Sequence, residues 1–112
     1  PALSKTAAEA VLHAVRSAKE RGLKVSCDLN FRKKLWTWEP GTDSKTLAGR
    51  VLREILPFVD VVIANEEDAA DVLGIHAANT DVESGHLDIS AYPDVASQIA
   101  KQFPNIELVA IT

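Results

Sequence analysis

Residues 23–36 read Leu-Lys-Val-Ser-Cys-Asp-Leu-Asn-Phe-Arg-Lys-Lys-Leu-Trp, an apolar run that becomes polar at Asp28. The first part, residues 23–28, predicts a short strand buried on both faces, as in a parallel sheet. Because alternate side chains of an extended chain point the same way, Asp28, Asn30 and Arg32 are expected to converge beyond the carboxyl end of this strand. Open α/β sheets bind ligands at that edge, so this stretch predicts both a fold class and the place of a site.

The rest of the chain alternates helices with strands. Apolar residues at helical spacing predict four helices: residues 6–21, a helix that Thr42 or Asp43 caps and that ends near Pro57, residues 66–73, and a helix that opens at Tyr92–Asp94 and ends at Pro104. Apolar runs predict strands over residues 23–28, 59–64 and 107–112. Such alternation predicts a parallel, three-layer, Rossmann-like α/β fold with right-handed crossovers, forming a single unit over residues 1–112.

Two further predictions concern the start of the first helix and the connection before the last one. Thr6 and Glu9 have the spacing of a capping box at the start of the first helix. Residues 75–91 are polar and irregular, and a connection of that length inside a small domain is often functional or mobile.

Composition limits the classes of function. The chain has 112 residues, of which 46% are hydrophobic and 25% charged, as in ordinary globular proteins. A net charge of −4 argues against nucleic-acid binding, and no apolar run approaches the roughly 20 residues of a membrane span. The start, Pro-Ala-Leu-Ser-Lys, does not resemble a signal peptide, so a cytoplasmic location is expected. The lone Cys27 is expected to be an inert core thiol.

A second polar cluster follows the strand at residues 59–64. Asn65 is a favourable N-cap, and the acidic residues after it suit the positive end of a helix dipole, so the cluster can be purely structural. Alternatively it is a magnesium site, because Mg²⁺ takes oxygen ligands, keeps several waters and uses one or two carboxylates. In that interpretation Glu67 or Asp68 holds the waters and Asn65 orders them.

The first cluster has the same two interpretations. Asp28, Asn30 and Arg32 either satisfy a strand-to-loop turn or recognise a small polyhydroxylated anion, for which the guanidinium of Arg32 supplies a bidentate fork. No glycine-rich phosphate loop is present in the sequence. The remaining aromatic and imidazole side chains are expected to be structural or at the surface: Trp36, Trp38, His13, His76 and His86.

Both clusters also carry a resemblance to a known family. Residues 28–36 are similar to the D-x-N-x-R…L-W stretch of the ribokinase-like (PfkB) carbohydrate kinases, and residues 62–74 are similar to their N-x-x-E segment. With the spacing of the strands, the resemblance runs over essentially all 112 residues, and within the family it points to the enzymes that act on 2-keto-3-deoxygluconate. The resemblance implies a ribokinase-like fold and ATP-dependent, Mg²⁺-assisted phosphorylation of a sugar hydroxyl.

The resemblance also implies roles for individual residues. Arg32 binds the acid end of the sugar or a neighbouring phosphate, while Asp28 and Asn30 shape that edge. Asn65 helps to organise the magnesium ion. Asp68 stands where the family has glutamate, so Glu67 shares or takes over that role. Thr112 lies where a strand enters the nucleotide-binding loops.

Other parts of the family pattern are absent from the sequence. The chain has no G-A-G-D-type motif, which carries the family's catalytic base, and no sugar-binding lid region. We therefore expect a central piece of a longer kinase, inactive alone. Its partners would be a sugar and ATP, without nucleic acid or membrane, and the full-length protein could be a homo-oligomer.

Three alternatives remain open from the sequence. The parent could be another PfkB sugar kinase, such as a fructokinase. The chain could also be a stand-alone flavodoxin-like binding module, although it lacks the paired acidic residues and the phosphorylatable aspartate of receiver-type modules. Finally, it could be a non-catalytic interaction fragment, which should self-associate through uncovered apolar surface.

Overall fold

The computed structural model describes residues 1–76 and 92–112. In chain order the elements are α1 (Lys5–Glu20), β1 (Ser26–Asp28), α2 (Ser44–Ile55), a 3₁₀ turn (Leu56–Phe58), β2 (Val61–Ala64), α3 (Glu66–Leu73), α4 (Tyr92–Gln102) and β3 (Leu108–Ile111). The three strands are parallel in the order β1-β2-β3, with Ser26 opposite Val61 and Val61 opposite Leu108. The predicted alternation and the parallel sheet are confirmed. Residues 77–91 of the predicted loop, which include His86, lie outside the described residues.

The helices begin at side-chain caps. Ser4 has an extended backbone, and its hydroxyl accepts a hydrogen bond from the amide N of Ala7 at 3.0 Å. The predicted capping box at Thr6 and Glu9 is therefore wrong, because Ser4 caps α1 first and leaves Thr6 inside the helix. In α2 the cap is Asp43, whose Oδ1 accepts from the amide N of Thr46 at 2.9 Å.

Strand β1 differs most from its prediction. It spans three residues rather than six; Cys27 is half-buried, while the residues on either side of it are exposed. The prediction of a strand buried on both faces over residues 23–28 is thus wrong. The reason lies at the end of α1, where Gly22 adopts a φ of 71° and the amide N of Leu23 donates to the carbonyl of Ala18 at 2.9 Å. This closing turn keeps Leu23 with the helix and delays the strand.

In the described part of the chain, packing covers one face of the sheet. Val62 and Ala64 of β2 are buried in a core that also contains residues of all four helices. On the opposite face Leu108 is 58% exposed, and Val61 and Ile63 are half-buried. Of the predicted three layers, the described residues therefore supply the sheet and one layer of helices.

Helices α2 and α3 approach each other at a glycine. A Cβ at Gly49 would lie 2.6 Å from the carbonyl oxygen of Val72, so the two backbones are in direct contact. Arg53 strengthens the contact, because its Nη2 donates to the carbonyl of Leu73 at 3.0 Å. This packing fixes α3 against the rest of the core.

Asp60 links the amino ends of the three strands, a role that the local sequence pattern does not predict. Its carboxylate accepts from Lys19 Nζ at 2.5 Å and from the amide N of Val25 at 2.8 Å. Its carbonyl accepts from the amides of Glu107 and Leu108 at 2.8 and 3.2 Å. The side chain is almost fully buried, and the hydrogen bond from Lys19 lowers the pKa of Asp60 below its ordinary value. This edge of the sheet is therefore a structural anchor.

Candidate functional site

The turn after β1 carries the first predicted cluster. The amide N of Leu29 donates to the carbonyl of Ile63 at 2.9 Å, which extends the parallel ladder by one residue. Asn30 then takes a left-handed conformation with φ of 36°, and its amide N donates to Asp28 Oδ1 at 3.1 Å. Asparagine tolerates this conformation better than most residues.

This turn corrects the predicted geometry of the cluster. Asp28, Asn30 and Arg32 do not share one side of an extended chain, because the backbone turns at Asn30. All three residues are nevertheless exposed, and Asp28 is the last residue of β1, while Asn30 and Arg32 lie in the turn that follows it. Their role in binding a ligand stays a prediction.

The start of α3 carries the second cluster. Asn65 Oδ1 accepts from the amide N of Asp68 at 2.6 Å, so Asn65 is the N-cap. Glu66, Glu67 and Asp68 form the acidic first turn, where they suit the helix dipole. The helix ends at Gly74, whose φ of 66° is the left-handed conformation of a C-cap. The structural interpretation of Asn65 is confirmed.

Asp68 connects the two clusters. Its Oδ1 accepts a hydrogen bond from the amide N of Phe31 at 3.2 Å, and the residue is only 8% exposed. Burial raises the pKa of Asp68 above its ordinary value, and the negative charge of Asp28 adds to that increase. The charge of Arg32 acts in the opposite direction, which shows that Asp28, Arg32 and Asp68 lie within electrostatic range of one another.

The predicted magnesium residues differ in the hydrogen bonds that their side chains make within the chain. Asn65 and Asp68 each use an oxygen in a backbone hydrogen bond, whereas Glu67 is exposed and has no hydrogen bond or ion pair within the described residues. Within those same ranges, no group of three or more His, Cys, Asp or Glu side chains could hold a metal ion. The role of Asn65, Glu67 and Asp68 in ordering the waters of a magnesium ion stays a prediction.

Glu66, in the first turn of α3, is a residue that the sequence pattern assigns only to the start of the helix. Its Oε1 atom is buried and has no hydrogen-bond partner in the described part of the chain. Buried polar atoms nearly always have a hydrogen-bond partner, so this carboxylate oxygen is an exception among the described residues.

The other predicted positions are simpler. Thr112 is exposed, and its amide N donates to the carbonyl of Ala64 at 2.9 Å, so it extends β3 to the same edge as the two clusters. Its role toward a nucleotide stays a prediction. Trp36 is 4% exposed and packs in the core as predicted, and Trp38 is half-buried against that core. His13 and His76 are exposed, in agreement with a surface role.

Cys27 fits an inert thiol. It is half-buried, although the strand around it is more exposed than predicted. Burial raises the pKa of its thiol above the ordinary value, so little nucleophilic thiolate is present near neutral pH.

A cleft of about 270 Å³ lies between α1, α2 and the loop at Trp38. Its polar wall is an ion pair in which Arg50 Nη2 donates to Glu39 Oε1 at 2.7 Å. Hydrogen bonds from Arg50 and Thr42 lower the pKa of Glu39 to about 2. These two hydrogen bonds keep Glu39 ionised near neutral pH, as is typical of a structural ion pair.

Among residues 1–76 and 92–112, no helix combines the length and apolar character that crossing a bilayer requires.

Three known proteins resemble the chain over nearly its full length, although no family model matches it. It is 33% identical over 112 residues to a 2-dehydro-3-deoxygalactonokinase of Haloferax volcanii, and the match covers the whole of this chain and 29% of that protein. It superimposes on the crystal structure of 2-dehydro-3-deoxygluconokinase from Thermotoga maritima with a TM-score of 0.80 and 36% identity, over 99% of this chain and 30% of that one. A PfkB family carbohydrate kinase of Listeria grayi gives a TM-score of 0.67 and 32% identity, over 94% of this chain and 27% of that one.

These matches confirm the predicted resemblance. The chain has the fold of a segment of the PfkB, ribokinase-like carbohydrate kinases, with the parallel sheet that this fold requires. It spans less than a third of the length of the relatives that it matches.

Proposed function

We propose that this chain is a segment of an ATP-dependent kinase that phosphorylates a hydroxyl group of a 2-keto-3-deoxy sugar acid, such as 2-keto-3-deoxygluconate. The observation that carries the proposal is the match to the Thermotoga maritima enzyme, with a TM-score of 0.80 and 36% identity over 99% of the chain. The terms 2-dehydro and 2-keto denote the same carbonyl group, so the name of that enzyme states this substrate. The fructokinase and flavodoxin-like alternatives are not favoured by these matches.

Arg32 is the residue that we assign to the acid group of the sugar. A guanidinium binds a carboxylate through two parallel hydrogen bonds, and this fork is more selective than the point charge of a lysine. Arg32 is exposed and makes no hydrogen bond or ion pair within the described residues, so the fork is available to a ligand. We assign Asp28 and Asn30, which are exposed beside Arg32, to hydrogen bonds with the sugar hydroxyls.

The phosphoryl donor is ATP with Mg²⁺, which supplies the transferred group and neutralises its charge when bound. In this chain Glu67, exposed in the first turn of α3, is the carboxylate that we assign to the water shell of the metal. Thr112 marks the adjoining strand end, where we place the nucleotide. A reaction that consumes ATP fits a cytoplasmic location for the parent protein.

The parent kinase tests the proposal directly. Purified parent protein would be assayed with ATP and Mg²⁺ against 2-keto-3-deoxygluconate, its C4 epimer 2-keto-3-deoxygalactonate, fructose and ribose. We expect kcat/KM for the keto acids to exceed that for the neutral sugars. Turnover of fructose above both acids would refute the substrate class and support a fructokinase.

Variants of Arg32 sharpen this assay. Removing a charge-assisted hydrogen-bonding partner costs about 1.5–3 kcal/mol, so Arg32→Ala is expected to raise KM for the keto acid by roughly tenfold to 100-fold. Lys34→Ala, at an exposed cation on the same loop, is the matched control and is expected to stay within about twofold. Equal losses in both variants would mean that general positive charge matters and not the fork of Arg32.

The galactonate epimer is a second candidate substrate. It is favoured by the 33% identity to the Haloferax volcanii enzyme, whose name states that sugar. The two acids share the carboxylate that we assign to Arg32 and differ at one carbon, so the ratio of their kcat/KM values decides between them.

We also propose that the 112-residue chain is inactive by itself. Phosphoryl transfer needs a group that accepts the proton of the attacking hydroxyl, and the sequence lacks the G-A-G-D-type motif that carries this group in the kinases it resembles. The isolated chain is expected to give no more phosphorylated sugar than a blank with ATP and Mg²⁺. Turnover near that of the parent would contradict this expectation.

A further inference from the structure

We propose that Asp68 is a positioning residue that holds the turn carrying Arg32, and that it is not a magnesium ligand. The inference rests on the proposed function, because the turn matters through the guanidinium that it presents to the sugar acid. It departs from the role that the resemblance to the kinases implies for this position.

The first argument is the way in which the turn is held. Of its three successive backbone amides, that of Leu29 bonds within the sheet at 2.9 Å, and that of Asn30 bonds to Asp28 Oδ1 at 3.1 Å. The third, that of Phe31, bonds to Asp68 Oδ1 at 3.2 Å, across 37 residues of sequence. Asp68 thus provides the side-chain link from another helix to the residue that immediately precedes Arg32.

The second argument is that Asp68 is itself held firmly. Its amide N is bound by the cap residue Asn65 at 2.6 Å, and α3 is packed against α2 at the Gly49–Val72 contact. A hydrogen bond that the turn donates to such a fixed helix holds the turn in place. The left-handed backbone of Asn30 needs surrounding contacts of this kind to persist.

The third argument separates Asp68 from its neighbour Glu67. Successive residues of an α-helix point about 100° apart. Accordingly Asp68 is 8% exposed and faces the turn, whereas Glu67 is exposed to solvent. Hydrated Mg²⁺ requires accessible oxygen atoms, so Glu67 suits it and Asp68 does not.

Asp68→Asn and Asp68→Ala distinguish the two roles. The amide of asparagine keeps an oxygen that accepts from the Phe31 amide but loses the charge that a metal ligand needs, whereas alanine loses both. Hydrogen exchange of the Phe31 amide, measured in the parent protein without sugar, ATP or Mg²⁺, is expected to be about tenfold faster in Asp68→Ala. In Asp68→Asn it should stay within about threefold of the wild type. Unchanged exchange in Asp68→Ala would overturn the proposal.

Steady-state kinetics of the parent provide the second readout. Asp68→Ala is expected to raise KM for the keto acid about tenfold while leaving the half-saturating Mg²⁺ concentration within about twofold, and Asp68→Asn should resemble the wild type. Glu67→Gln, the matched control, is expected to raise the Mg²⁺ requirement instead. Combining Asp68→Ala with Arg32→Ala should cost no more than Arg32→Ala alone, because both act through the same guanidinium.

The outcomes separate cleanly. A Mg²⁺ requirement raised about tenfold in both Asp68 variants would make Asp68 a metal ligand and overturn the proposal. If Asp68→Ala fails to fold, Asp68→Asn still decides, since only the metal role predicts that it is defective. If the parent does not phosphorylate keto acids but hydrogen exchange of the Phe31 amide changes as expected, the proposed function is wrong. The conclusion that Asp68 holds the turn is then still supported.

Discussion

Gly49→Ala tests whether backbone contact between α2 and α3 controls the stability of this fold. In a helix interior, replacing glycine by alanine normally stabilises by about 1 kcal/mol. Here the new Cβ would lie 2.6 Å from the carbonyl oxygen of Val72, whereas ordinary contact begins at 3.4 Å, so the helices must separate by about 0.8 Å. The second close atom, Nη1 of Arg53 at 3.0 Å, belongs to a flexible side chain and can move.

The magnitude follows from these two opposing effects. Overpacking a core costs about 1–3 kcal/mol, and a clash with backbone belongs at the upper end of that range. After subtraction of the gain in helix propensity, Gly49→Ala is expected to lower the free energy of unfolding by about 2 kcal/mol. With a urea m-value of about 1.5 kcal/mol/M, the unfolding midpoint should fall by roughly 1.3 M.

Urea unfolding followed by circular dichroism measures this change. Ala14→Gly, at an exposed position inside α1, is the matched control for propensity alone and is expected to lose about 1 kcal/mol. If Gly49→Ala were as stable as the wild type or more so, while Ala14→Gly behaved as expected, the close approach of the two helices would not control stability.

Three further predictions concern the caps, the strand anchor and the thiol. Ser4→Ala should lower the free energy of unfolding by about 1 kcal/mol in urea, whereas Thr6→Ala should not lower it, because Ser4 is the cap. Since Lys19 lowers the pKa of Asp60, that pair contributes fully above the unfolded carboxyl pKa of about 4 and is lost as the pH falls through the lower folded value. The wild-type urea midpoint should therefore drop more steeply below about pH 4 than that of Asp60→Asn; parallel profiles would contradict the reasoning. Cys27 should react with a thiol reagent more slowly than free cysteine near pH 8, because burial raises its pKa, and an equal rate would count against that burial.

Local patterns in the sequence were sufficient for much of the fold. The apolar stripe of α2 and the stop signals around α4 lie within short windows, and so does the cap at Asn65, whose side chain reaches an amide three residues ahead. The order of helices and strands follows from these windows, and order determines that the sheet is parallel.

The errors arose where distant residues decide local conformation. The turn at Asn30 is held in part by a hydrogen bond between Phe31 and Asp68, 37 residues apart, which no local window contains. The local pattern places Asp60 in an apolar strand and does not show its ion pair, because its partner Lys19 lies 41 residues away in the sequence. The prediction of an extended chain from Asp28 to Arg32 failed for this reason, whereas the parallel strand order alone puts both polar clusters at the carboxyl edge of the sheet.

The half-covered sheet has a thermodynamic consequence. Among the described residues, Leu108 is 58% exposed beside the half-buried Val61 and Ile63 on the face that no described helix covers. Anything that binds this face in the folded state and not in the unfolded chain raises the apparent stability by mass action. The apparent free energy of unfolding of the isolated chain then depends on the concentration of that binding partner as well as on the sequence. If a second copy of the chain binds this face, the unfolding midpoint rises with chain concentration, so midpoints measured at two concentrations test for it.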